Sequence, residues 1–123
     1  MSGATAFPNR GALDAWFVAH HAEADLLWVR LYRKQSGVAS VTWDDCVRVA
    51  LVWGWIDGLK QSESEISWLQ RLTPRRKGSN WSPRNQAIAK ELIATGQMRP
   101  PGLEMIRVAQ ESGRWSDAIG RVE

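Results

Sequence analysis

The sequence predicts an α+β protein, with about four helices packed on a small, mostly antiparallel sheet of about three strands. Four segments carry apolar residues at helical spacing, and three short segments have the composition of strands. Glycine and proline separate these segments at the expected turns. A length of 123 residues suits one domain, residues 1–123, with a core at about 10–115 and flexible ends.

The N-terminal part of the chain predicts a loose lead-in at residues 1–10, then a helix and a strand. Residues 12–22 place apolar side chains at i, i+3 and i+4 spacing, and Asn9 is a candidate N-cap. Residues 26–33 alternate between two sides, which predicts a strand with one buried face.

Thr42 begins the clearest predicted helix. Asp45 follows three residues later, which is the spacing of a capping box. Cys46 lies on the apolar stripe of this helix, and this position favours a small core residue over a nucleophile. The helix is expected to end near Gly54, through a left-handed cap or close packing.

A β-hairpin is predicted after this helix. The Asp-Gly pair at residues 57–58 is a turn signal. Residues 59–63 and 66–73 then form the two strands, with a turn near Ser64. Pro74 ends the second strand because it has no N–H for the ladder.

Two further helices are predicted in the C-terminal part. Ser82 followed by proline is a helix start, and Gly96 ends that helix. Two prolines at residues 100–101 open the last helix, which ends at Gly113, and Trp115 folds back as an anchor. The residues of the last helix that are expected to face inward are Leu103, Met105, Ile106 and Ala109.

The basic charge is concentrated in one segment. The formal net charge is +3, and residues 71–85 contribute +5 with no acidic residue. The rest of the chain has 11 basic and 13 acidic residues. A local basic patch suits an anionic ligand or surface, although a solvated loop is an equally weighted alternative.

Residues 71–85 and the nearby 53–58 cluster together give the candidate ligand-binding set. The helix start at Ser82 adds unpaired N–H groups and a partial positive charge beside the arginines. Trp81 either stacks on a base or packs beneath the loop. The candidates are Trp53, Trp55, Asp57, Arg71, Arg75, Arg76, Lys77, Ser79, Asn80, Trp81, Ser82 and Asn85.

Asp57 is the weak candidate for a catalytic group. It is flanked by tryptophan and glycine, so it is either a partly desolvated general base or a structural partner of a loop arginine. The sequence has no nucleophile elbow, Walker loop or dinucleotide fingerprint. We expect no cofactor.

The metal and compartment predictions rest on few residues. His20 and His21 point about 100° apart on a helix, and no cysteine–histidine set accompanies them, so we expect no metal site. Cys46 is the single cysteine, which allows no intramolecular disulfide. The N-terminus has no apolar signal region, and no apolar run is long enough for a membrane span. These features predict a cytoplasmic protein.

Three motifs resemble the YdeI/OmpD-associated family, whose members are also called bacteriocin-protection proteins. They are V-W-G-W-I-D-G at residues 52–58, R-L-T-P-R-R-K-G-S-N-W-S-P-R-N at 71–85 and G-Q-M-R-P-P-G-L at 96–103. The resemblance covers about residues 16–115 and implies a bacterial protein linked by name to protection against bacteriocins. No settled activity, substrate or cofactor comes with that name.

Three functions therefore stay open. The first is a binding module of the stress or bacteriocin-protection type, whose basic loop holds phosphate, carboxylate or nucleic acid. The second is a small enzyme with Asp57 as base and Arg75 or Arg76 as clamp. The third is a tryptophan-rich protein-interaction domain with an unknown partner.

Overall fold

A computed structural model of the chain describes residues 3–115. It contains four α-helices and a four-stranded sheet, so the predicted α+β class is confirmed. The elements in chain order are β1 (Ala4–Ala6), α1 (Arg10–His20), β2 (Leu27–Tyr32), a 3₁₀ turn (Lys34–Ser36), α2 (Trp43–Val52), β3 (Trp55–Ser62), β4 (Ser67–Pro74), α3 (Pro83–Ala94) and α4 (Pro100–Ser112).

The sheet is mixed and has one strand more than predicted. Its order is β1-β2-β4-β3, with β1 parallel to β2 and the other two pairs antiparallel. The extra strand, Ala4–Ala6, lies in the stretch that the sequence predicted as a loose lead-in. Three residues are too few to show alternation, and only pairing with β2 identifies them as a strand.

The four helices share one core with one face of the sheet. Leu27, Val29 and Leu31 of β2 are buried, as the alternation of this strand predicted. Leu72 of β4 and Trp55 of β3 join them in the same cluster. The helices contribute Leu13, Phe17, Cys46, Val47, Val49, Ala50, Leu51, Val52, Ile88, Ala89, Leu92, Ile106 and Ala109.

The predicted helix caps are present. The Asn9 side chain accepts a hydrogen bond from the backbone N–H of Ala12 at the start of α1. Thr42 and Asp45 form a reciprocal capping box at the start of α2. Such caps satisfy backbone N–H groups that have no partner inside the helix.

The C-terminal end of α2 packs very closely on the first turn of α4. Gly54 has a φ of 79°, and a Cβ there would lie 2.8 Å from the Pro101 carbonyl oxygen. A Cβ on Gly102 would lie 2.4 Å from the carbonyl oxygens of both Leu51 and Val52. Only glycine allows this approach, so the two positions fix how α4 sits against α2.

The Asp-Gly pair at residues 57–58 lies inside β3, so the predicted turn is wrong there. The register shifts between Asp57 and Lys60, which is a β-bulge opposite Arg71. The fully buried Gln70 side chain donates a 2.9 Å hydrogen bond to the Gly58 carbonyl oxygen. A bulge of this kind bends a strand without ending it, and glycine accommodates it readily. The hairpin itself is confirmed, with its turn between Ser62 and Ser67.

The C-terminal helices begin as predicted but bury fewer residues. The Ser82 side chain caps α3 by accepting from the Asn85 N–H. Leu103 of α4 is 44% exposed, so its predicted inward orientation is wrong. Gly102, Ile106 and Ala109 form the buried side of α4 instead. Ile106 and Ala109 are buried and Met105 packs against the core, as predicted, so Leu103 is the residue whose orientation differs.

Trp115 folds back as predicted. The centre of its ring lies 5.2 Å from that of the Trp81 ring, and its backbone N–H donates a hydrogen bond to the Ala109 carbonyl oxygen. The predicted flexible C-terminal segment, residues 116–123, lies outside the described residues, as do residues 1–2. Within residues 3–115, no helix has the length and apolar character that a membrane crossing requires.

Candidate functional site

The arginines of the basic segment meet at a cavity of about 680 Å³, here called the arginine groove. Its lining consists of Asp25, Leu26, Ile56, Arg71, Thr73, Pro74, Arg75, Arg76 and Ser79. Four of the predicted ligand-binding residues belong to this lining: Arg71, Arg75, Arg76 and Ser79.

The strand register explains why these residues converge. Ile56 of β3 lies opposite Thr73 of β4, and Trp28 of β2 lies opposite Arg71. Paired residues share a face of a sheet, and that face alternates along each strand. Ile56, Arg71 and Thr73 therefore lie on the face opposite Leu72 and the helices. The loop that follows Pro74 closes one end of the groove.

The groove lining is strongly cationic. Three arginines contribute to it, and Asp25 is the one acidic side chain in the lining. Arg71 is half-buried and Arg76 is exposed, so both residues retain contact with solvent. The Ser79 hydroxyl accepts from the Arg76 backbone N–H at 3.0 Å, which leaves its own O–H able to donate. Planar guanidinium groups with hydroxyl donors beside them are suited to phosphate and carboxylate.

Arg75 differs from its two neighbours because it is only 4% exposed. Its guanidinium carbon lies 3.9 Å from the centre of the Trp81 ring, and Nη1 donates to the Asn80 carbonyl oxygen at 3.0 Å. Its backbone N–H donates to the Gly54 carbonyl oxygen at 2.9 Å. Arg75 thus ties the loop to the α3 start and to the end of α2.

The charge of Arg75 is poorly compensated. Nε and Nη2 are buried and have no hydrogen-bond partner among the described residues. Burial lowers the pKa of this guanidinium to about 10, and the Asp57 carboxylate acts in the opposite direction. Asp57 thus acts on Arg75 through its charge, but no hydrogen bond or ion pair joins the two within residues 3–115, so the structural tether stays a prediction.

The three tryptophans in the predicted ligand-binding set are buried. Trp81 packs beneath the loop against Arg75, which is the structural alternative for this residue. Trp53 donates a 2.8 Å hydrogen bond from Nε1 to Asp14, and Trp55 makes an edge contact with Phe17 at 5.0 Å. None of the three belongs to the groove lining, so we correct their predicted role from ligand contact to packing.

Asp57 lies on the other side of the sheet from the groove. It pairs with Leu72, whose side chain is in the core, whereas the adjacent Ile56 lines the groove. Consecutive residues of a strand point to opposite faces. Ile56 faces the groove that Arg76 lines, so the Asp57 side chain faces away from that groove. Asp57 and Arg76 therefore do not form one catalytic pocket.

The other four predicted ligand-binding residues surround the loop without lining the groove. Ser82 and Asn85 form the α3 cap, and the Asn80 carbonyl oxygen receives Arg75. Lys77 is exposed. The hydrogen bond with Arg107 is the main cause of the lowered pKa of Glu104 in α4, and the charge of Lys77 adds a smaller effect in the same direction. These residues shape the loop rather than the cavity.

Cys46 is fully buried in the core, as the sequence favoured. Burial raises the pKa of its thiol to about 12, with smaller contributions from Asp45 and Asp57. The neutral thiol is not a nucleophile at ordinary pH. Among residues 3–115, no group of three or more histidine, cysteine, aspartate or glutamate residues is arranged to hold a metal ion.

We expect iodoacetamide to modify Cys46 only when the protein unfolds. The unfolded thiol ionises near its ordinary pKa of 9.0, whereas the folded thiol stays neutral to about 12, so stability is lost as the pH rises above 9. Alkylation rates measured across a urea series should follow the unfolded fraction, and Cys46→Ala should remove this part of the alkaline destabilisation. Labelling at a rate independent of urea would contradict the buried thiol.

Five lining residues of the groove were not among the twelve candidates. Asp25 and Leu26 come from the loop before β2, Ile56 comes from β3, and Thr73 and Pro74 come from the end of β4. Arg71 and Thr73 are two residues apart in β4 and so share one face of it, which locates one wall of the groove. Finding the other walls requires the strand order and the register, which local patterns do not specify.

Together, the fold and the groove define the class of protein: a small α+β domain with an arginine-lined groove on its open sheet face. Residues 5–105 match the model of a domain of unknown function, DUF8412, and the chain belongs to that family. No curated protein and no solved structure matches the chain. The similarity to the YdeI/OmpD-associated family stays a prediction from the three motifs.

Proposed function

We propose that this protein is a binding module that holds an anionic ligand in the arginine groove. The observation that carries the proposal is that Arg71 and Arg76 line one cavity of about 680 Å³, with the buried Arg75 behind them and Asp25 as the single acid of the lining. A concave site with one dominant charge sign attracts ligands of the opposite sign. Phosphate, carboxylate and a nucleic-acid strand all offer the required anionic oxygens.

Two arginines are assigned to ligand contact. Arg71 extends from β4 and Arg76 from the loop, so a ligand between them receives charge-assisted hydrogen bonds from two directions. The side chains of Leu26 and Ile56 supply apolar surface in the same cavity. This combination favours an organic anion with an apolar portion over an inorganic ion.

Calorimetric titration with phenyl phosphate and inorganic phosphate tests this function. We expect phenyl phosphate to bind more tightly, and both ligands to bind less tightly as salt is raised. Loss of charged hydrogen bonds worth about 1.5–3 kcal/mol makes the Arg71→Ala/Arg76→Ala variant about 10- to 100-fold weaker.

Arg107→Ala is the matched control, because Arg107 is an exposed arginine of α4 that pairs with Glu104 and Glu111. It should bind as the unmodified protein does. Absence of saturable, salt-sensitive binding would contradict the proposal, as would equal affinities of the double variant and the control.

The enzymatic alternative receives no support from the geometry. It requires Asp57 beside Arg75 or Arg76 in one cavity, and Asp57 faces the opposite side of the sheet. We therefore propose binding without a catalytic step. The third alternative, an interface of exposed tryptophans, is weakened by the burial of Trp53, Trp55 and Trp81.

The proposed biological setting follows the motif resemblance. A role in stress or bacteriocin protection and a cytoplasmic location are part of the proposal, supported by the three motifs and by the single, buried cysteine. Growth of a deletion strain under bacteriocin challenge, with and without the Arg71→Ala/Arg76→Ala variant, addresses that setting.

A further inference from the structure

A second surface lies on the helix-facing side of the sheet, beside the first turn of α2. It is here called the tryptophan platform and consists of Trp43, Trp68, Arg33, Lys34 and Lys60. Trp68 lies opposite Leu31 of β2, whose side chain is in the core, so its ring is on the helix side. Both tryptophans are only half-buried, unlike Trp53, Trp55 and Trp81.

Trp68 lines two cavities. One has about 370 Å³ and is lined by Arg33, Lys60, Gln61, Ser62 and Trp68. The other has about 510 Å³, and its lining includes Tyr32, Lys34, Trp43 and Trp68 together with the loop at residues 37–42. Each is in the size range of a small-molecule site. Trp68 contributes to the lining of both, so the two cavities lie next to each other at this residue.

Cations surround the two indole rings. Lys60 Nζ lies 4.5 Å from the centre of the Trp43 ring and 5.4 Å from that of Trp68. Arg84 stacks on Trp43 at 3.9 Å, so Trp68 is the less covered of the two rings. None of the residues that line either cavity is acidic. Arg33 and Lys34 are exposed and form no ion pair within residues 3–115.

We propose that the tryptophan platform binds a short segment of single-stranded nucleic acid. A base stacks on Trp68, and the flanking phosphates contact Arg33 and Lys60 in one cavity and Lys34 in the other. Aromatic side chains that carry bases beside cations that carry the backbone are the features of single-strand binding surfaces. The platform is on the opposite sheet face from the arginine groove, so this site is separate from the proposed anion site.

The two cavities beside Trp68 favour a strand over a single nucleotide. A base and its neighbouring phosphates can occupy both cavities, whereas a mononucleotide fills only one of them. An acidic peptide matches the cations but makes no use of the Trp68 ring. A duplex keeps its bases stacked inside and cannot place one on the ring.

Fluorescence anisotropy with a labelled strand of eight thymidines tests the inference. We expect saturable binding that weakens with salt, because phosphate contacts release counterions. Stacking on an aromatic ring is worth about 1–3 kcal/mol per base, so Trp68→Ala should bind about 5- to 100-fold more weakly. Trp68→Phe keeps an aromatic ring in the packing and should lose less. Arg33→Glu/Lys34→Glu changes only exposed residues and should bind at least about tenfold more weakly.

Controls separate this site from the arginine groove and from general charge. Arg107→Glu reverses a charge on α4 and should leave the strand affinity within about threefold. Arg71→Ala/Arg76→Ala should weaken strand binding less than Arg33→Glu/Lys34→Glu does. Binding that vanishes in the groove variant would overturn the inference and assign the strand to the groove. No saturable binding, or unchanged affinity in Arg33→Glu/Lys34→Glu, would overturn it directly. Equal affinity for thymidine monophosphate, for a duplex or for a peptide of glutamates would replace the strand with that ligand.

Discussion

Alanine at Gly102 is expected to lower the free energy of unfolding by about 3 kcal/mol, the upper part of the usual range for overpacking. The added Cβ would lie 2.4 Å from the carbonyl oxygens of Leu51 and Val52, which are backbone atoms of α2. Helix propensity alone would favour alanine by about 1 kcal/mol, so the close contact must outweigh that gain. Because α2 is buried on most of its sides, it cannot shift without disturbing the core.

Urea unfolding measures this loss, and Gly58→Ala is the matched control. A Cβ on Gly58 would have only an ordinary contact, 3.7 Å from the Arg71 carbonyl oxygen. The control should stay within about 1 kcal/mol of the unmodified protein. A Gly102→Ala protein as stable as this control would show that α4 does not pack on α2 as described.

Replacement of Arg75 tests whether this side chain stabilises the fold or contacts the anionic ligand. Arg75→Ala removes the contact with Trp81, leaves the Asn80 carbonyl oxygen unpaired and opens a cavity, so we expect a loss of about 2–3 kcal/mol in the free energy of unfolding. Arg75→Met keeps an unbranched stem on Trp81 and removes a buried charge that has two unpaired donors. Buried charges are often replaced by apolar residues at little cost, so its loss should be about 1 kcal/mol or less.

Arg75→Met should also bind phenyl phosphate within about threefold of the unmodified protein, because a group without ligand contact does not contribute charged hydrogen bonds. Urea unfolding and calorimetry on the same samples give both results. If Arg75→Ala were as stable as the unmodified protein, the bracing role would be wrong. If Arg75→Met were stable but lost the ligand, Arg75 would be a binding residue.

Local sequence signals predicted the parts of the fold that local chemistry determines. Each helix cap needs only a side-chain oxygen that accepts a hydrogen bond from the backbone N–H three residues later. Asn9, Thr42 and Ser82 all form such caps. The buried face of β2 followed from alternation alone. In contrast, β1 is defined only by its pairing with β2. The sequence at Gly58 is typical of a turn, and only the pairing of β3 with β4 shows that it forms a bulge.

The candidate site was predicted in the same partial way. Composition identified the basic segment, and Arg71, Arg76 and Ser79 of that segment do line one cavity. Composition cannot show that Arg75, adjacent to Arg76, turns into the core, because both are arginines in the same loop. Packing against Trp81 decides the difference, and that contact depends on where α3 sits in the fold.

NMR on protein labelled with ¹⁵N-arginine measures directly which of Arg71, Arg75 and Arg76 contact the ligand. Phenyl phosphate is titrated while the side-chain Nε–H signals are followed, with each signal assigned by a single lysine replacement. We expect saturable shifts for Arg71 and Arg76, and little change for Arg75 and Arg107. A titration that moves Arg75 most, or one that moves neither Arg71 nor Arg76, would contradict anion binding in the arginine groove.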